Sequence, residues 1–303
     1  MKFHWRKAGN VKNTTNCLQY ELACFKSLSS TLNPVLAFGV LFMTTRNILL
    51  KLHWLSGQFG FDPFRFLRSV RGLQVFLRGW WSFHKGYSGI ITLQPCLHDR
   101  YDEGGTTKGE YFWQDLLVAR WVHEASPQRH IDVGSRLDGF VAHVASFREI
   151  EVFDIRPITT KIPGVVFINA DVMSPDVFSS SLEGCDSLSC LHAIEHFGLG
   201  RYGDRIDPKG YERGIVNMAK LLRPEGRFYL STPIGKERVE FNAHRVFDPF
   251  TIIRCAESSG LKLLSLTVIG TDDSIRQMGI DNSTMLDLAQ SHYNLGIFIF
   301  IKQ

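Results

Sequence analysis

The chain has 303 residues, 44% hydrophobic and 21% charged, the proportions of a globular protein with a real core rather than a disordered or fibrous one. Six scattered cysteines (17, 24, 96, 185, 190, 255) form no C-x-x-C pair, which argues against a disulfide framework or zinc knuckle and for a reducing, cytoplasmic setting. The net charge of +4 hides two balances: residues 1–90 hold 12 Lys and Arg against 2 Asp and Glu, the remainder 22 against 28, so the basic character suits an anionic surface met by an N-terminal extension better than a nucleic-acid channel.

Residues 1–30 show no periodicity. The apolar run Val35–Met43 has nine residues, far short of the ~20 needed to span a bilayer. It begins late, with Glu21 upstream, so a signal peptide fits badly and a buried or interfacial helix is expected. Asp62-Pro63 supplies an N-cap and a first-turn proline. From there Phe66, Leu67, Val70, Leu73, Phe76, Leu77, Trp80 and Trp81 fall on one face, and Arg65, Arg68, Arg71 and Arg78 on the other. Gly72 and Gly79 weaken the case for a continuous helix. Three readings of residues 34–85 stand: a packed helix with solvated arginines, a membrane-surface helix, or a docking site for a partner protein. Residues 1–90 are read as a basic, mostly helical extension, 91–110 as a connector and 111–303 as an α/β domain.

Tyr111–His123 reads as a helix. His130–Val133 then reads as a buried strand, followed by a turn at Gly134-Ser135 and a helix opening at Gly139. A strand, glycine turn and helix N-terminus is where open α/β sheets hold an adenine-containing cofactor. Glu151–Phe153 is a second strand ending in Asp154, 20 positions beyond Gly134, the spacing of a ribose-binding acid. Val165–Ile168 is a third, after which Asp171 is placed to accept from an adenine amine, to cap the next turn, or both. Cys185–Leu191 is a fourth. From its end emerges His192-Ala193-Ile194-Glu195-His196, an H-x-x-E-H pattern that in zinc peptidases requires a continuous helix; its place after a buried strand argues against metal, and none is expected. A helix near 208–222, a strand Arg227–Ser231, a helix Phe250–Ser258 and a strand Leu261–Ile269 follow. Residues 271–290 read as irregular, and Leu295–Ile301 as a terminal apolar strand able to insert antiparallel. Strands alternating with helices imply a mainly parallel sheet covered on both faces.

From about residue 111 the chain resembles the class I S-adenosylmethionine-dependent methyltransferases. The resemblance is carried by Asp132-Val133-Gly134-Ser135, Asp154, Asn169-Ala170-Asp171, Leu191–His196 and Leu222–Pro233. Within that superfamily it is similar to an uncharacterised branch, through Phe112–Asp115, Asp132–His143, Glu195–Asp204 and Phe241–Phe247. The resemblance implies a doubly wound, Rossmann-like seven-stranded sheet of order 3-2-1-4-5-7-6 with an antiparallel last strand, and S-adenosylmethionine as cofactor. The chain departs from the family pattern at Arg136-Leu137-Asp138, which replace a glycine-rich turn, and at Glu225.

On this reading Asp132, Gly134, Ser135, Arg136, Asp154 and Asp171 bind the cofactor, with Arg136 paired to its carboxylate. An oxygen nucleophile needs a base, and His196, with Glu195 orienting it, and His244 are the candidates. Tyr202, Asp204 and Arg245 are expected to contact the substrate. The expected reaction is methyl transfer to a small-molecule or saccharide acceptor, most simply at oxygen. A non-catalytic scaffold is the alternative. A nicotinamide-dependent oxidoreductase is disfavoured by the single turn glycine, by Asp171 and by the lack of a Tyr-x-x-x-Lys pair.

Overall fold

A computed structural model describes residues 52–53, 55–100, 102, 104–175 and 184–303. The first thirty residues and the apolar run Val35–Met43 lie outside the described residues. The chain divides into two compact units, Met1–Gly104 and Gly105–Gln303.

In the first unit, helix α1 (Pro63–His84) starts where the capping signals place it: the Asp62 carboxylate accepts from the Phe64 and Arg65 amides at 2.9 and 3.0 Å. It runs unbroken through Gly72 and Gly79. Gly72 is buried against the Leu97 backbone, where any Cβ would overlap the Leu97 carbonyl. That close approach explains a glycine at mid-helix. Among the described residues no helix is long and apolar enough to cross a membrane.

The second unit is a three-layer α/β fold. Its chain order is α2 (Glu110–Ala125), β1 (His130–Val133), a π-type turn at Leu137–Val141 leading into the short α3 (Ala142–Ala145), β2 (Ile150–Asp154) and β3 (Val165–Asn169). There follow β4 (Cys185–Leu191), a single 3-10 turn at Ile194–His196, α4 (Gly210–Leu221), β5 (Leu222–Ile234), a hairpin of β6 (Arg238–Glu240) and β7 (His244–Val246), and α5 (Pro249–Ser258). The chain ends with β8 (Leu261–Ile269), β9 (Ile275–Met278), α6 (Asn282–Gln290) and β10 (Asn294–Lys302).

The sheet order is β3-β2-β1-β4-β5-β10-β8-β9. Strands β1 to β5 are parallel, and β10 inserts antiparallel between β5 and β8. This is the expected seven-strand order with one addition, the antiparallel edge strand β9. The segment expected to be irregular thus contains β9 and α6. β9 escapes a periodicity reading because three of its four residues are exposed. α6 is launched by Asp281, whose carboxylate accepts from the Thr284 amide and both the Ser283 and Thr284 hydroxyls.

Alternation in the central strands splits the core into two layers. Ile131, Val133, Leu188, Phe228, Phe298 and Phe300 pack on one face with α4, α5 and α6, while Val152, Leu191, Tyr229 and Ile297 pack with α2 on the other. Each such buried side chain stabilises the fold by roughly 1.5–3 kcal/mol. The strand order reverses direction between β1 and β4, and the loops leaving the carboxyl ends there diverge to leave a crevice.

Candidate functional site

The turn after β1 is built from below. Asp132 is fully buried, and its carboxylate accepts from the Ser135 amide (3.0 Å), the Ser135 hydroxyl (2.5 Å) and the Ser189 hydroxyl (2.5 Å). The Ser135 oxygen in turn accepts from the Leu191 amide. These bonds tie β1 to β4. Burial pushes the Asp132 carboxyl up to about 7 against the pull of the serine hydrogen bonds. Above this support Gly134 takes φ 71°, and a Cβ there would stand 3.1 Å from that of Ala193. Gly134 therefore lines the crevice, while Asp132 and Ser135 lie beneath it.

The expected helix opening at Gly139 is displaced. Gly139 is itself non-helical (φ −129°, ψ −107°), and a side chain there would run into the Asp115 carboxylate. Arg136, at the start of this turn, points its guanidinium back to Asp138 (3.0 and 2.8 Å) and lies 5.1 Å over the Tyr111 ring.

The crevice encloses about 300 Å³, within the range of small-molecule sites. Gly134 and Arg136 form one wall. Asp154, at the end of β2, and Asp171, just after β3, form a second. Asp154 is held by Arg156 in a bidentate pair (3.0 and 2.7 Å) and accepts from the Arg156 amide. Asp171 accepts from the Met173 amide at 2.9 Å through Oδ1 only, so it does cap the following turn.

The third wall comes from the loop after β4. His192 lines it in the left-handed region (φ 53°), a strained conformation for a non-glycine residue. Its amide donates to the Ser231 carbonyl and hydroxyl. Its ring bridges two carboxylates, Nδ1 to Glu195 (2.5 Å) and Nε2 to Glu110 (2.8 Å), and stacks on Tyr111 at 4.4 Å. Burial opposes the charged form, yet Glu195 and Glu110 together raise the imidazole to about 10. His192 is thus an imidazolium at neutral pH, donating from both nitrogens. Glu195 is fully buried, which by itself would raise its carboxyl, but the His192 charge and hydrogen bond, with His196 nearby, together hold it below the usual carboxylate range, so it stays ionised. The Tyr293 hydroxyl also donates to Glu110 at 2.7 Å. Burial, with Glu195 and Glu110 nearby, pushes the Tyr111 hydroxyl up to about 12.

His196 lines the same crevice and also stands beside Glu195, but it differs from His192 in charge. Its Nδ1 donates to the Ala243 carbonyl at 2.8 Å, which leaves the lone pair on Nε2, 3.8 Å from Glu195 Oε1. Burial lowers its pKa despite the nearby carboxylate, so the ring is neutral at pH 7. Tyr202 packs edge-on to it and lies between the Arg156 and Arg201 guanidiniums (4.5 and 5.1 Å). Asp204 gathers the Gly198, Gly200 and Tyr202 amides, and so shapes the loop that carries Tyr202.

The crevice thus brings together Gly134, Arg136, Asp154, Asp171, His196, Tyr202 and Asp204. Asp132, Ser135 and Glu195 lie behind its walls. Arg245 is buried away from it, with its guanidinium donating to the Glu195, Phe197 and Pro208 carbonyls. His244, on the β6–β7 hairpin, is also off the wall, with Nε2 3.6 Å from Glu240. Sequence reasoning missed Tyr111, Arg156 and His192. Of these, His192 carried a signal, its position at the carboxyl end of a buried strand. Among the described residues no group of three or more His, Cys, Asp or Glu side chains is arranged to hold a metal ion.

A family model described as a Caenorhabditis protein of unknown function, DUF268, matches residues 175–265. No curated protein matches the sequence. Among solved structures, the chain is similar to the N-methyltransferase NodS from Bradyrhizobium japonicum in complex with S-adenosyl-L-homocysteine, at 13% identity and TM-score 0.44, covering 65% of this chain and 89% of that one. It is also similar to the [4+2]-cyclase SpnF, at 14% identity and TM-score 0.45, covering 62% and 81%. A third is the 1,6-didemethyltoxoflavin-N1-methyltransferase from Burkholderia thailandensis, at 14% identity and TM-score 0.45, covering 76% and 89%. None of these likenesses bears on substrate or reaction.

Proposed function

We propose that the crevice binds S-adenosylmethionine and that the chain transfers its methyl group to a small-molecule or saccharide acceptor, at an oxygen atom. The observation that carries this reading is that Asp154 and Asp171, at the ends of successive strands, open on the same crevice as the Gly134 turn. The donor set fits the cofactor: Asp154 is suited to a ribose diol, Asp171 to an adenine amine, and the bare Gly134 backbone to a close approach. Bound there, the cofactor supplies an activated methyl group, so the protein's work is mostly positioning.

In this account Asp154 exchanges Arg156 for the ribose hydroxyls, and Arg136 leaves Asp138 for the cofactor's carboxylate. His196, neutral with a free Nε2, takes the acceptor's proton; Glu195 stabilises the imidazolium that forms. Arg136 lies over the Tyr111 ring and Arg156 over that of Tyr202, so these rings meet an acceptor's C–H groups only once the two arginines have moved. His192 is no base, since both nitrogens already donate; its fixed charge holds the β4 loop to α2.

A second reading, cofactor binding without transfer, draws on the commitment of both arginines to internal carboxylates. Transfer of a labelled methyl group from S-adenosylmethionine into the small-molecule fraction of a cell extract separates the two. The proposal expects label incorporation that His196→Asn abolishes. Binding without incorporation across broad extracts would favour the scaffold.

A further inference from the structure

We propose that helix α1 lies in the surface of an anionic lipid bilayer. Six of its side chains, Phe66, Leu67, Val70, Leu73, Leu77 and Trp81, are each 45–60% exposed. At 100° per residue they fall within one stripe of about 120° along the helix. The residues after the helix do not cover this stripe. They cover a different face, where Gly72 meets the Leu97 backbone, Arg65 meets His98 and Arg68 pairs with Asp102 at 3.1 Å.

The charges are distributed in the same way. Arg65 and Arg68 sit on the covered side with partners, whereas Arg71 and Arg78 run along one border of the apolar stripe with no acidic partner among the described residues. Lys85 follows at the C-cap, 5.3 Å over the Trp81 ring. No Asp or Glu occurs anywhere in residues 63–98. An apolar stripe bordered by unpaired cations of one sign complements acyl chains beneath anionic headgroups, and Trp81 at one end is an interfacial anchor. A second copy of the chain would bring these like charges together, which disfavours a helix dimer. The helix lies on the surface rather than across it, since the four arginines along it are incompatible with the acyl core.

The inference concerns only the first unit and is independent of the reaction. It is tested on the full chain by flotation with vesicles of phosphatidylcholine alone, and of about three parts phosphatidylcholine to one part phosphatidylserine. Binding is expected to the anionic vesicles only, and to fall steeply between about 50 mM and about 500 mM salt. Arg71→Gln, Arg78→Gln and Lys85→Gln together should weaken it on the order of a hundredfold. Leu73→Ser, Leu77→Ser and Trp81→Ser, exposed positions whose replacement spares the fold, should abolish it while circular dichroism stays unchanged. Equal binding to neutral vesicles, salt-independent binding, or no flotation of folded protein would overturn the proposal. So would a concentration-dependent dimer in ultracentrifugation that the triple serine variant dissolves, which would assign the stripe to a second copy.

Discussion

Helix α1 and the α/β unit treat their apolar side chains in opposite ways. Among the described residues, fifteen large hydrophobic side chains are exposed between Leu52 and Leu93, against fourteen in the whole of residues 105–303. The helix exists for local reasons: the Asp62 cap, the Pro63 start and a single apolar stripe. The α/β unit exists for distant ones, with β10 threaded between β5 and β8 and the core divided over two faces of the sheet. A local design leaves a surface free to meet something else. A long-range design fixes a crevice whose walls come from residues far apart in the chain.

The contrast can be broken most severely at His192. Replacing it with Gln leaves Glu195 as a buried charge without its counter-charge, at a cost of about 3–5 kcal/mol, read as a lower melting temperature of the α/β unit. The pH dependence carries a sign. The imidazole is raised from 6.5 to about 10, so its contribution is full below pH 6.5 and is lost as pH rises through about 10. Wild-type melting temperature should therefore decline across that alkaline window, and the variant's should not. A wild-type profile flat from pH 6.5 to 10 would remove the imidazolium from the account.

Asp154→Ala should come next. Loss of two charge-assisted hydrogen bonds lowers S-adenosylmethionine affinity on the order of a hundredfold, measured by calorimetry, and leaves vesicle binding as it was. Affinity unchanged within about twofold would detach Asp154 from the cofactor. Asp132→Ala strands three buried donors and should destabilise the unit by about 1–3 kcal/mol in urea unfolding, whereas wild-type stability would make the hydrogen bonds beneath the turn dispensable. The smallest effect belongs to the other region: Leu73→Ser on α1 should change stability by less than about 1 kcal/mol, and a larger loss would mean that the stripe is covered after all.

How much was legible follows the same division. The terminal strand β10 announces itself as an apolar run, and the capping signals at Asp62-Pro63 set the start of α1 to the residue; α5 begins at Pro249, one residue before the expected Phe250, because Asp248 caps it. Asp154 and Asp171 were legible because strand ends and spacing place them at one edge of the sheet. The π-type turn at Leu137–Val141 was not, since it depends on the contact between Gly139 and Asp115. β5 begins at Leu222, earlier than expected, because residues around Arg223–Gly226 bulge from the strand, with Glu225 at φ 65°, between its pairings with Cys185 and Ser187. The bridge over His192 was illegible, since Glu110 stands 82 residues away and Tyr293 is 183 residues from Glu110. Arg245 looked like a substrate contact because a loop arginine reads as exposed; tertiary packing buried it among carbonyls.

The central claim is that the crevice at the ends of β1 to β4 holds S-adenosylmethionine. Titration calorimetry of the full chain with S-adenosylmethionine, S-adenosylhomocysteine and NAD tests it most directly. The account predicts saturable binding of the first two, weakened by Asp154→Ala, and no heat from NAD. Binding of NAD alone, or of none of the three by folded protein, would contradict it.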